Sequence, residues 1–138
     1  MMKLDHINLP VSNLGRSRDW WVKSLGLKVE FEVPDTRTVA LNDGEGFAIF
    51  LHEKPNVAPN GIALWFQVDD VDATYAELLA LGVRSHSAPE EFPPDSPTMR
   101  IAFVQDPDGN LIELVQPLGL RYPSLTGGPR HRTQDADN

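Results

Sequence analysis

No cysteine occurs among the 138 residues, which excludes disulfides and thiolate chemistry. No apolar run approaches the roughly 18 residues of a membrane-spanning helix, and the opening residues carry no charged-then-apolar signal pattern. The sequence therefore predicts a cytoplasmic protein with no membrane partner. Positive charge is in deficit: 12 Lys and Arg against 20 Asp and Glu give a formal net charge of -8. Such a surface repels a polyanion at long range, which excludes nucleic acid and anionic membranes as partners and leaves a neutral or cationic small molecule compatible. What is present is ordinary for a globular chain, 41% apolar and 23% charged residues. The length suits one domain of about 1–120 whose two halves share a core. From Arg121 the composition turns to Pro, Gly and charged residues without apolar periodicity, and 121–138 reads as a mobile C-terminal tail in which Tyr122 and Leu125 could dock.

The halves are copies of one another. Adding 57 to His6-Ile7-Asn8-Leu9-Pro10-Val11-Ser12-Asn13-Leu14 gives Ala63-Leu64-Trp65-Phe66-Gln67-Val68-Asp69-Asp70-Val71, where a strand-like run again meets a polar capping pair and an apolar residue. Leu25-Gly26-Leu27 maps onto Leu81-Gly82-Val83 by adding 56, and the run Gly46–Glu53 maps onto Gly109–Gln116 by adding 63. A period near 60 is too long for a solenoid and indicates a duplicated half-domain, with modules at about 1–54 and 60–117.

Within each module the pattern reads βαβββ. Strand 1, about 4–11, alternates cleanly, and Ser12 is a good N-cap for a helix over about 13–24 that Gly26 ends. Strands follow at about 27–33, 36–42 and 46–53. In the second module a strand at 62–69 leads through Asp69-Asp70, read as helix capping, into a helix over about 71–81. Strands at about 83–88, 99–105 and 110–116 complete it. The proline-rich insert from Glu90 to Pro97 reads as a loop, because proline removes ladder donors, and as a plausible lid. Asp106-Pro107-Asp108-Gly109 is first of all a turn. Trp21 and Phe66 read as core.

This pattern resembles the vicinal oxygen chelate superfamily, which groups glyoxalase I, bleomycin-resistance proteins and extradiol dioxygenases. Its carriers are Leu4-Asp5-His6-Ile7, Trp20-Trp21 ahead of Leu25-Gly26-Leu27, Val68-Asp69-Asp70-Val71-Asp72 and the run from Asp106 to Leu114, together spanning about residues 3–117. The resemblance implies an α+β fold in which two βαβββ modules form curved mixed sheets around a cleft holding a divalent metal. Its metal positions fall on His6, Phe50, Ala63 and Glu113. Of these, His6 and Glu113 can bind Zn, Ni, Fe or Mn; Ala63 stands where metal-dependent members usually have histidine. His52, two residues beyond Phe50 and on the same sheet face, is a third candidate ligand.

Alternation lines the implied cleft with His6, Asn8, Ala48, Phe50, His52, Ala63, Trp65, Gln67, Glu113 and Val115. Half of these are aromatic or apolar, which suits a small organic ligand, with Asn8, Phe50, His52, Trp65 and Gln67 as its contacts. Two functions compete. One is binding of a drug or metabolite at a degenerate metal site. The other is a metal-dependent lyase, isomerase or dioxygenase in which Glu113 moves a proton. No role attaches to His86 or His131. Resembling proteins pair modules across two chains, and open sheet edges need cover, so a homodimer is expected.

Overall fold

Parity along the first strand decides which side of the first sheet is core. The computed structural model describes residues 2–59 and 61–119. In it β1 (Ile7–Val11) buries Leu9 and Val11, β3 (Thr38–Asn42) buries Val39 and Leu41, and β4 (Ala48–Glu53) buries Ile49 and Leu51. These residues share one face because β1 pairs with β4 in parallel register, Leu9 opposite Leu51, while β3 pairs with β4 antiparallel, Val39 opposite Leu51. Helix α1 (Leu14–Leu25) packs on that face with Trp21 fully buried. The remaining strand, β2 (Lys28–Val33), pairs with β3 and is exposed along its whole length. A short 3₁₀ turn, Pro34–Thr36, joins them.

The second set repeats this plan. It comprises β5 (Ala63–Gln67), α2 (Val71–Ala80), β6 (Arg84–Phe92), β7 (Met99–Gln105) and β8 (Leu111–Pro117). The strand orders are β1-β4-β3-β2 and β5-β8-β7-β6, the same order with four added to each label, so the duplication read from the sequence is a duplication of topology. Its core holds Val71, Leu78, Val83, Ala102, Val104, Ile112 and Leu114. By contacts the chain falls into two compact units. The first runs to Ile62 and includes Gln105–Leu111; the second is Ala63–Val104 with the residues from Ile112 on. The β7–β8 turn thus belongs to the first unit. The tail expected at 121–138 lies outside the described residues. Among the described residues no helix is long and apolar enough to cross a membrane.

Local expectations are corrected at three points. Ser12 is not the cap of α1. Asn13, with extended backbone at φ -145 and ψ 106, accepts from the Arg16 N–H at 2.9 Å, while the Ser12 hydroxyl donates to the Asp108 carboxylate at 2.5 Å. Strand β1 begins at Ile7 rather than near residue 4, leaving His6 just ahead of it. Strand β6 runs through Pro89, Glu90 and Glu91 to Phe92, residues read as strand end and loop. It can do so because β6 is an edge strand, where a proline lacking N–H leaves no ladder partner unpaired. Asp70 caps α2 as expected, accepting from the Ala73 N–H at 3.1 Å.

Candidate functional site

In the first unit the face away from α1 carries an aromatic cluster. The His6 imidazole lies flat on the Phe50 ring, centroids 3.7 Å apart and planes at 13°. Phe31 meets the same ring edge-on at 5.6 Å. Phe31 is 46% exposed and was missed in the sequence because a register shift between Val29 and Phe31 resets the parity of β2. Asn8, opposite Phe50, is exposed on the same face.

Both histidines of this face have one ring nitrogen engaged. His6 Nδ1 lies 2.9 Å from the exposed Asp5 carboxylate, which can only accept, so Nδ1 carries a proton toward it. His52 Nδ1 lies 2.9 Å from Thr38 Oγ1, which also lies 3.2 Å from the Thr36 carbonyl. The register nevertheless puts His52 opposite Pro10 and His6 level with Ala48, backbone positions about 13 Å apart along the strands. Beside His52, the Arg37 guanidinium and the Leu14 N–H hold the Glu53 carboxyl below the usual range, tying the start of α1 to β4.

In the second unit the register of β7 and β8 is fixed at both ends. Asp106 N–H donates to the Asn110 carbonyl, and Leu118 N–H to the Thr98 carbonyl. Counting inward from either end sets Phe103 directly opposite Glu113 in a non-hydrogen-bonded pair, with Cα atoms typically about 4.5 Å apart. On the other side of Glu113, Val68 N–H donates to the Val115 carbonyl, as a residue paired in parallel with Gln116 does. That register brings Trp65 beside Glu113. Gln116 accepts from the Val71 N–H and Arg100 pairs with Asp72, so both point to α2; Glu113 and Phe103, of opposite parity, point away. Ser85, bonded to Tyr75, likewise turns His86 away from α2, where it meets Phe103 edge-on at 6.0 Å. The face of the second sheet turned from α2 thus carries a row in which Trp65 and His86 are exposed, Phe103 is half-buried and Glu113 is buried. Gln67 follows Trp65 on β5, and is exposed.

Glu113 is the unusual member. It is only 3% exposed, no hydrogen bond or ion pair reaches it among the described residues, and burial alone pushes its carboxyl up to about 7. Trp65 beside it is 50% exposed. Phe103 and His86 were legible only through the β7–β8 register.

The metal that the resemblance implies does not fit this donor set. Phe50 and Ala63 offer no donor atom, and among the described residues no group of three or more His, Asp or Glu side chains could hold an ion. The motif from Asp106 to Asn110 is structural, as read. The Asp106 carboxylate accepts from the Asp108 and Asn110 N–H groups at 3.0 and 2.7 Å and from the Asn110 amide at 3.1 Å. Asp108 accepts from Ser12, backbone and hydroxyl, and lies 3.5 Å from Arg16.

Comparison with known proteins places this geometry in a family. The chain is similar to the uncharacterized protein YraH of Bacillus subtilis (strain 168), 32% identical over 130 residues that cover 85% of this chain and 100% of that one. Among solved structures it is similar to TnmS3, an antibiotic binding protein from Streptomyces sp. CB03234. That likeness has 28% identity, a TM-score of 0.72, and coverage of 86% of this chain and 98% of the other. The genomically encoded fosfomycin resistance protein FosX of Listeria monocytogenes shares the fold, with a TM-score of 0.70 at 21% identity over 86% of this chain and 95% of its own. The family model for the Glyoxalase/Bleomycin resistance protein/Dioxygenase superfamily matches residues 3–114, and the chain belongs to that superfamily.

Proposed function

We propose that this protein binds a small, flat organic molecule of the drug or metabolite kind, without a resident metal ion. The observation that carries the reading is the stack of half-buried His6 and Phe50 with exposed Phe31 on a sheet face that no helix of its unit covers. Apolar rings left open to water stabilise a complex when a planar partner covers them. The likeness to an antibiotic binding protein supports the same reading. Phe50→Ala removes the central ring of the stack and should weaken ligand binding about tenfold, a loss of roughly 1.4 kcal/mol. A thermal-shift screen of planar antibiotics and metabolites, followed by calorimetric titration of the best hit into both proteins, measures this. Equal affinity for the two would sink the proposal.

The alternative, a divalent-metal-dependent lyase, isomerase or dioxygenase, draws support from the retention of His6 and Glu113 at two of the four family positions. Metal analysis of protein purified without chelator separates the readings: stoichiometric Zn, Ni, Fe or Mn favours the enzyme, substoichiometric metal the binding protein. We further propose a homodimer, because β2 is an exposed edge strand with Val29, Phe31 and Val33 open to solvent. Sedimentation giving only the 15.3 kDa monomer at micromolar concentration would exclude it.

A further inference from the structure

Glu113 is a buried carboxyl whose cross-strand neighbours are two aromatic residues, with no cation paired to it among the described residues. We propose that the row Trp65, Glu113, Phe103 and His86 is a receptor for a planar organic cation, with Glu113 as the counter-charge and Trp65 and Phe103 as the rings over which the cation lies. The inference rests on the small-ligand reading above and names the chemical class for the second unit's face.

Three observations converge on it. The register makes Trp65 and Phe103 the cross-strand neighbours of Glu113 on the face of β5-β8-β7-β6 turned from α2, with Trp65 exposed at its rim. An aromatic face attracts positive charge through its quadrupole, and more strongly where water is thinned out. Second, Glu113 is 3% exposed with no hydrogen-bonded or charged neighbour among the described residues, so its anionic form lacks the partner that a buried carboxylate requires. A bound cation supplies that partner. Third, the charge of -8 draws a cation toward the protein at long range and disfavours an anionic ligand.

A bare metal ion answers the first need less well than an organic cation. Ala63, at the family's ligand position on β5, offers a methyl group, and Trp65 next to it on the same face offers a ring. Metal ions want further oxygen or nitrogen donors, whereas an aromatic amine wants one carboxylate and flat apolar walls. His86 closes the row on the edge strand. Its edge-on contact fixes the plane of Phe103, which makes it a positioning residue.

The test uses the full chain at pH 8 with two probes of nearly equal shape, 9-aminoacridine, a cation at that pH, and acridine, its neutral parent. Calorimetric titration should show the cation binding about tenfold more tightly or better. In Glu113→Gln, which keeps the volume and removes the charge, the two probes should bind alike. Trp65→Leu, at a half-exposed position that the fold tolerates, should weaken both probes and leave a preference for the cation. His86→Ala should reduce the preference less than Glu113→Gln does. Equal affinities in the unmodified protein, or a preference that survives in Glu113→Gln, would overturn the cation assignment while leaving the small-ligand reading standing. Binding of neither probe would overturn both for flat ring systems.

Discussion

At the scale of single residues, Glu113 couples the helix-free face of the second sheet to pH. Burial raises its carboxyl from an ordinary 4.5 to about 7, so the fold favours its protonated form. An acid raised in this way gives stability that is complete below about 4.5 and is lost as pH rises through about 7. The shift corresponds to about 3 kcal/mol, so urea unfolding of the unmodified protein should weaken by that order between pH 4.5 and 8 relative to Glu113→Gln. Parallel pH profiles for the two proteins would show that Glu113 has a partner in solution. Glu53 and Asp72 act in the opposite sense. Arg37 and Arg100, respectively, hold their carboxyls below the ordinary range, and what those pairs contribute is present above the ordinary carboxylate values and fades as acid is added. Trp21 is a simpler case. It is fully buried where α1 packs on its sheet, and Trp21→Ala should cost about 3–5 kcal/mol in the same assay.

Among elements, the strands and helices were legible in the sequence wherever local pattern decides the outcome. The alternation of Ile7, Leu9 and Val11, the Asp70 cap and the glycine after each helix are written in neighbouring residues. What was not legible depends on distant partners. Ser12 looks like a cap until Asp108, 96 residues away, takes its hydroxyl and passes the capping to Asn13. Asn13→Ala should therefore lower stability by about 1 kcal/mol through the freed Arg16 N–H, measurable as a drop in the denaturation midpoint. A fully retained midpoint would restore the cap to Ser12. The prolines of the insert from Glu90 to Pro97 argued for a loop, yet Glu90, Glu91 and Phe92 extend edge strand β6, and Phe31 escaped notice because one bulge reverses its side. Two thirds of the candidate face was thus readable. His6, Asn8, Phe50, Trp65, Gln67 and Glu113 follow from alternation, whereas Phe31, Phe103 and His86 need a register that no local pattern carries.

For the whole molecule, duplication is the organising fact, and the copies have diverged most where chemistry would sit. The helix-facing positions stay apolar in both, Leu9 and Leu51 matched by Phe66 and Leu114 at offsets of 57 and 63. On the faces turned from the helices, His6 and Phe50 in one copy correspond to Ala63 and Glu113 in the other, a ring stack against a lone acid. Packing against a helix constrains both copies alike, whereas the opposite face is free to specialise.

The turn at Asp106–Asn110 gives that divergence a direction. It joins two strands of the second copy yet is counted among the contacts of the first, where Asp108 holds Ser12 and Pro59 sits 3.1 Å from where a side chain on Gly109 would begin. A peptide ending at residue 62 would carry every strand of the first sheet and still lack the carboxylate that fastens β1 to α1. Made alone, it should show weaker amide-exchange protection around Ser12 than the full chain does, and adding the remaining segment in trans should restore it. The entry to the first copy's helix is therefore encoded partly in the second copy's sequence, so the two halves of the chain are not separable at their boundary.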